Sequence, residues 1–371
     1  MVGYLVFLTI STGIFALFSL GLNLQWGFTG LINFGHVAFM TVGAYTAVLL
    51  SLYGVPLIIS ALIGSLVAAL LGLLIGLSTL RLREDYLSIV TIGVSELVRL
   101  FVNNQQLPTP SGLVDGVQGL QSYPLPLTNI IPTPLFKLAT MGILTLVTGL
   151  CLWRMWQWIK GRHQKSTHYS FALRAILGII AVAFVMTIYL TGLTALSDYS
   201  RYEKSGLMVA LLVVLTVVFW LLESLVRSPW GRVLKSIRED EQVPQALGKN
   251  VFWYKLQAFM LGGAIAGIAG AFFAWQLTTI YPNSFEPITT FNAWIIVILG
   301  GASNNVGTLL GAIIFFTYQE VTRSVLPKII PLDEARLGAF RIMVIGFLLM
   351  IMMIWRPQGI LGKKEELTLG K

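Results

Sequence analysis

Between Met1 and Leu80 the chain has no lysine, arginine, aspartate or glutamate. As helix, those residues would measure about 120 Å, roughly four thicknesses of a ~30 Å hydrocarbon core, or about three crossings once turns are allowed for. Charged residues make up only 11% of the chain, against about 25% in soluble globular domains. The single cysteine, Cys151, excludes an intramolecular disulfide framework, and no Cys/His cluster stands at metal-ligand spacing. A GxxxxGK[ST] phosphate loop is also missing, so ATP hydrolysis is not expected here. No HExxH, Ser/His/Asp or paired-carboxylate arrangement appears, which leaves a membrane enzyme a distant third reading. The N-terminus lacks a basic n-region and an A-x-A-like cleavage site, and reads as a first span rather than a cleaved signal.

What is present is hydrocarbon in blocks. Apolar residues form 56% of the 371, and polar breaks divide them into about eleven segments. These lie near residues 3–24, 28–51, 55–80, 86–103, 136–158, 171–193, 207–226, 256–276, 288–301, 306–325 and 338–355. The expected fold is an all-α polytopic membrane protein of about 11 helices (range 9–11), with 288–301 short enough to be re-entrant. A net charge of +9 would suit nucleic acid in a soluble protein, but in a membrane protein it marks cytoplasmic loops. Alternate breaks divide the loop cations seventeen against six. The rich set holds Arg81, Arg83, Arg154, Lys160, Arg162, Lys165, Arg174, Arg227, Arg232, Lys235, Arg238, Lys249, Lys255, Arg356, Lys363, Lys364 and Lys371. The positive-inside rule then puts the N-terminus outside and the C-terminus inside. The chain reads as one transmembrane domain over 1–371, with an outer, periplasmic loop at 104–135 and a cytoplasmic tail at 356–371.

Residues 227–255 form the longest charged segment on the cation-rich side. Ser228 and Pro229 suit an N-cap and N1 pair, and Trp230, Val233, Leu234 and Ile237 line one face of a short helix. Glu239, Asp240 and Glu241 follow, Pro244 is expected to break the helix, and Gly248 to close a second turn as a C′ residue. Such an element either rests on the membrane surface or docks a cytoplasmic partner. The acidic triplet favours docking, because anionic lipid repels it.

These residues carry a resemblance. Within 227–276, PWGRVLKSIREDE and ALGKNVFWYKLQAFMLGGAIAGIAGAFFA resemble the coupling region of branched-chain-type amino-acid ABC transporter permeases. So do GLINFGHVAFMTVGAY (Gly30–Tyr45), LRLREDYLSIVTIGVSELVRL (Leu80–Leu100), VILGGASNNVGTLLGA (Val297–Ala312) and WRPQGILG (Trp355–Gly362). The likeness spans nearly the whole chain and is nearest to the permease subunits of cyanobacterial neutral-amino-acid importers; residues 150–206 depart from shorter members. It implies a bacterial inner-membrane importer of neutral or branched-chain amino acids. The partners implied are a second homologous permease, two cytoplasmic ATPase subunits and a periplasmic substrate-binding protein. No cofactor is implied in this chain, ATP and Mg²⁺ belonging to the partner ATPases, and no nucleic acid. Carried over by position, the coupling residues are Arg238, Glu239, Asp240, Glu241, Ala246, Leu247 and Gly248. A urea or amide permease of the same superfamily is the alternative, and a stand-alone secondary transporter a more distant one.

Candidate pathway residues follow from the cost of polar groups in hydrocarbon. Glu96 with Arg99, and Glu320 with Arg323, stand at i, i+3 and can neutralise each other. Equally, they can pin helix ends by snorkelling. Asn33 and His36 lie in a glycine-rich, charge-free stretch. Read as helix, they share one face while Phe34 and Val37 turn elsewhere, so that face lines a passage or packs against a neighbour.

Overall fold

The computed structural model describes residues 2–82, 84–110, 112–127, 133–160, 171–197, 204–329, 333–355 and 358–362. Of the cations used to orient the chain, Arg83, Arg162, Lys165, Arg201, Arg356, Lys363, Lys364 and Lys371 lie outside the described residues, as does most of the tail 356–371.

Every one of the eleven apolar blocks contains a helix. They are α1 (Val2–Leu22), α2 (Val37–Leu52), α3 (Leu57–Thr79), α4 (Glu84–Asn104), α5 (Pro134–Lys160), α6 (Phe171–Ser197) and α7 (Ser205–Arg227). Two short helices follow, α8 (Pro229–Glu239) and α9 (Gln242–Ala246), then α10 (Val251–Leu277), α11 (Ile288–Gly300), α12 (Asn305–Ile329) and α13 (Glu334–Trp355). Helix is not the same as crossing, however. Among the described residues five helices are long and apolar enough to span a bilayer, and a sixth span results if the bent pair α11–α12 is counted once. That pair turns by 117°, the geometry of a broken span or a re-entrant hairpin. Helix α2 has 16 residues, about 24 Å, and falls short of a ~30 Å core because residues 28–36, expected as its first turns, are not helical.

The chain divides into two compact units, Met1–Gly13 with Leu125–Val217, and Ile14–Pro124 with Val218–Lys371. The first is built on α5, α6 and most of α7. Leu144, Leu196 and Val209 form its buried centre, with Phe136, Met141, Tyr189, Leu212 and Val213 around them. The Lys137 ammonium donates to the Ser197 carbonyl at 2.8 Å, a cation on carbonyls that the α6 terminus leaves unpaired.

In the second unit α2, α3 and α10 meet almost backbone to backbone. A Cβ on Gly43 would stand 2.3 Å from the Gly267 Cα, and one on Gly64 2.6 Å from the Gly43 carbonyl oxygen. Ser65 Oγ donates to the Ala264 carbonyl at 2.9 Å. Apolar burial between helices is weak in lipid, so dispersion across small residues and interhelical hydrogen bonds hold such a contact. The loop expected at 104–135 is partly ordered by pairing. Strands β1 (Gln106–Thr109) and β2 (Gly112–Asp115) form an antiparallel hairpin. β3 (Leu120–Gln121) pairs with β4 (Thr279–Ile280) beyond the end of α10. Tyr123 Oη donates to the Ala274 carbonyl, fastening the loop to α10.

Candidate functional site

Two chain breaks in the second unit face each other. After α1 the chain widens into a π-turn, Asn23–Gly27, and runs without regular structure to residue 36. Gly30 makes its turn at φ +83°. The other break is the corner between α11 and α12, where Ser303 takes φ +62°. Broken backbone at membrane depth needs partners within the protein, and here side chains supply them. Asn23 Oδ1 accepts from the Ser303 amide at 3.1 Å, and Asn23 Nδ2 donates to Asn305 Oδ1 at 3.2 Å. Gly27 leaves no room for a Cβ, which would fall 2.0 Å from Asn23 Oδ1. Gln25 Nε2 donates to the Phe259 carbonyl at 2.8 Å, and its Oε1 accepts from Asn33 Nδ2 at 2.8 Å.

The corner also explains the WRPQGILG motif. The amides of Ile360 and Leu361 donate to the carbonyls of Leu299 and Gly300, both at 3.0 Å. They thereby cap the end of α11, whose last carbonyls have no partner within the helix. Asn304 Nδ2 donates to the Leu361 carbonyl at 2.8 Å.

Asn33 and His36 do not share a helix face, because neither lies in a helix. Asn33 is 1% exposed and His36 0%. Asn33 is occupied by Gln25 and by the Gly35 amide, at 2.9 Å. His36 Nε2 is 3.2 Å from the Phe18 carbonyl, and its ring lies 4.7 Å from that of Phe18 and 5.7 Å from that of Phe39. Phe34 is half-buried, as is Ile32, and it is the residue that the helical reading turned away from the polar stripe. Its ring is 5.5 Å from Phe291 and 5.0 Å from Trp294, while Trp26 lies 4.5 Å from Trp294. Trp294 Nε1 donates to the Asn33 carbonyl at 3.1 Å, which fixes the indole over the break. Sequence reasoning missed this aromatic group, since its members come from two distant segments and each reads alone as an ordinary apolar residue.

This geometry fixes the expected outcome of a cysteine scan in a Cys151→Ser background. Cysteine at 34 reacts with a small water-soluble reagent, while cysteines at 33, 36 and 37 stay inert until transport opens the break. Uniform labelling of all four without transport would contradict this geometry.

Of the two i, i+3 pairs, one forms. Arg99 Nη2 meets Glu96 Oε1 at 2.5 Å, and Arg99 Nη1 donates to Asn283 Oδ1 at 2.8 Å. Among the described residues no ion pair joins Glu320 and Arg323. Arg323 is exposed, and an exposed pair gains too little to hold two long side chains in one geometry. The side chains of Arg99 and Glu96 are 18% and 37% exposed, so neither is stranded when the other is removed. A double-mutant cycle with Glu96→Gln and Arg99→Gln on thermal unfolding in detergent should give a coupling of about 1 kcal/mol. Strict additivity would mean that the pair contributes nothing.

Segment 227–255 is two-faced. The Ser228 hydroxyl donates back to the Leu225 carbonyl at 2.6 Å rather than capping α8. The break falls at Asp240, not at Pro244, which sits inside α9. Asp240 makes that break by accepting from the Gln242 amide at 2.8 Å, and Gly248 closes α9 at φ +72°. Of the seven coupling candidates, Glu239, Asp240, Ala246, Leu247 and Gly248 are exposed, Leu247 at 74%. Val243, not singled out from sequence, is exposed beside them. The other two turn inward, Glu241 pairing with Lys255 and Arg238 donating to the Gly27 carbonyl at 2.7 Å.

Comparison with known proteins agrees with the whole-chain likeness. Residues 4–353 match the family model described as branched-chain amino acid transport system / permease component. The chain is similar to the high-affinity branched-chain amino acid transport system permease protein LivM of Salmonella typhimurium, 30% identical over 94% of this chain and 68% of that protein. LivM of Escherichia coli is 29% identical over the same shares. A probable branched-chain amino acid transport permease protein LivM of Methanocaldococcus jannaschii is 23% identical over 96% of this chain and 92% of that one. No solved structure matches. With nearly its full length matched by the family model and by relatives on this scale, the chain belongs to the permease-component family of branched-chain amino acid transport systems.

Proposed function

We propose that this chain is the membrane subunit of an ABC importer that takes up neutral, branched-chain amino acids. It performs no covalent chemistry: partner ATPase subunits bind and hydrolyse ATP, a second permease completes the pore, and a periplasmic binding protein delivers the substrate. The single observation behind the reading is the two-faced α8–α9 element, exposed on the side of Glu239, Val243 and Leu247 and bonded on the other into the helix breaks. A stand-alone transporter has no use for such an outward face. On this reading the protein lies in an inner membrane, and the cation-rich loops favour a cytoplasmic position for this face and an outer one for the N-terminus. The aromatic group Trp26, Phe34, Phe291 and Trp294 suits an apolar side chain better than urea, which has only amide edges to offer.

Purification from the native membrane with partner subunits, followed by uptake into liposomes, tests the assignment. Labelled leucine or valine should enter only with ATP and the complete complex, and excess urea should not compete. Uptake by the lone chain would establish a secondary transporter instead, and competition by urea would move the substrate class.

A further inference from the structure

The inward face of α8 holds one side chain with a geometry that docking alone does not require. Arg238 lies in the last turn of α8, and its Nη1 donates both to the Gly27 carbonyl, at 2.7 Å, and to the Ser303 hydroxyl. Ser303 Oγ in turn donates to the same Gly27 carbonyl at 2.6 Å. Gly27 ends the π-turn after α1 and Ser303 stands in the corner before α12, so one guanidinium nitrogen joins both breaks. The carbonyls at the end of α1 and its π-turn carry partial negative charge, and a buried carbonyl there is costly without a donor. The arginine stem packs at the Gly30 turn, where a Cβ on Gly30 would stand 3.5 Å from Arg238 Cγ.

The end of α7, which leads into α8, is tied to the same place. Asn305 Nδ2 donates to Glu223 Oε2 at 3.1 Å, and Arg227, two residues before α8, binds Glu223 Oε1 at 2.8 and 2.6 Å. Asn305 is joined to Asn23 on the other side. Lys235 adds a contact from the middle of the helix, its ammonium 5.6 Å from the Phe28 ring centroid. Thus the last turn of α8 is bolted to the junction, the end of α7 that leads into α8 holds the same junction, and a rigid displacement of α8 must carry the junction with it or break charged hydrogen bonds.

We propose that Arg238 is the positioning residue that transmits movement of the ATPase-docking element into the two helix breaks, opening and closing the pathway at Asn23–His36 and Gly301–Asn304. This rests on the ABC-importer reading. Arg238 touches neither ATP nor substrate. It converts a shift of α8 into a shift of the Gly27 carbonyl and of the Ser303 hydroxyl at once. Substitution there should separate ATP hydrolysis from uptake, whereas losing an outward docking residue should lose both.

The test uses the complete reconstituted importer and reads uptake per ATP hydrolysed, together with retention of the ATPase subunits. Arg238→Met keeps the stem against Gly30 and removes the donors. It should retain the ATPase subunits and continue to hydrolyse ATP, while uptake per ATP falls by roughly tenfold, within the 5–150-fold range of couplings between sites. Arg238→Lys keeps one cationic donor and should recover part of the ratio. Ser303→Ala, a milder change at the far end, should lower the ratio in the same direction, and the double variant should be no worse than Arg238→Met because both cut one path. If Arg238→Met prevents assembly, Ser303→Ala alone decides. An unchanged ratio in Arg238→Met or, failing assembly, in Ser303→Ala would overturn the proposal. Leu247→Asp serves as the comparison. If it too leaves ATPase retention and uptake untouched, the docking reading itself has failed, not just the role of Arg238.

Discussion

Leu247→Asp is expected to leave the permease folded and inserted while stripping it of its ATPase partner. Leu247 is 74% exposed and makes no structural contribution that the substitution would remove. Buried in a partner's groove, a leucine contributes about 2 kcal/mol by apolar transfer. A carboxylate in the same place adds a desolvation penalty of at least another kcal/mol. The sum is about 3 kcal/mol, roughly a hundredfold in affinity. Co-purification at fixed detergent concentration reads it directly, with the monodispersity of the permease as the folding control. Val243→Asp should behave alike, being exposed on the same short helix. Glu239→Lys tests the acidic part without disturbing the Asp240 cap. Full retention of the ATPase by all three variants would remove this face from the docking surface.

The second large effect is structural. Gly43→Leu should abolish the folded second unit. A Cβ at position 43 already meets the Gly267 Cα and carbonyl oxygen at 2.3 Å, and backbone cannot step aside as a flexible side chain can. Helices α2 and α10 would have to part, forfeiting the dispersion contacts that hold them in lipid and disturbing the Ser65–Ala264 bond between α3 and α10. The expected loss is at least about 3 kcal/mol, the upper end of overpacking penalties. It should appear as aggregation or a lowered unfolding temperature on size-exclusion chromatography of heated detergent extracts. Gly93→Ala is the control. No atom lies within 4 Å of a Cβ built there, and alanine is the better helix former by about 1 kcal/mol. Equal stability of the two variants would mean that α2 and α10 do not pack this closely in the membrane.

Much of the fold is legible from composition because bilayer thickness imposes a length on every apolar run, and each of the eleven runs contains a helix. Residues 28–36 carry no charge or proline and read as the first turns of α2, although Gly30 and Gly35 weaken a helix there. Side chains offer the backbone there other partners: the Phe34 amide donates to Thr91 Oγ1 at 3.2 Å, the Gly35 amide to Asn33 Oδ1 at 2.9 Å, and at the helix start the Val37 amide to Thr290 Oγ1 at 2.9 Å. The Glu320–Arg323 pair shows the reverse error, since spacing permits a contact that burial did not enforce. At Asp240 and Pro244 the break was foreseen but misplaced by four residues, because a carboxylate cap acts at its own position and proline is tolerated early in a short helix.

By itself the sequence determined that the chain lives in a bilayer, where its apolar runs begin and end, and that a charged two-part element interrupts them at 227–255. These depend on local composition, and the membrane imposes the same requirement on any chain. Which residues form the functional junction was decided only by tertiary structure. Asn23 lies 280 residues from Ser303 and 282 from Asn305 along the chain, and nothing in their neighbourhoods marks them as partners. The side of α8 that Arg238 faces was decided the same way. Its position among Arg232 and Lys235 reads as one more solvated cation, and only the Gly27 carbonyl and Ser303 hydroxyl at the breaks beneath it turn that charge inward.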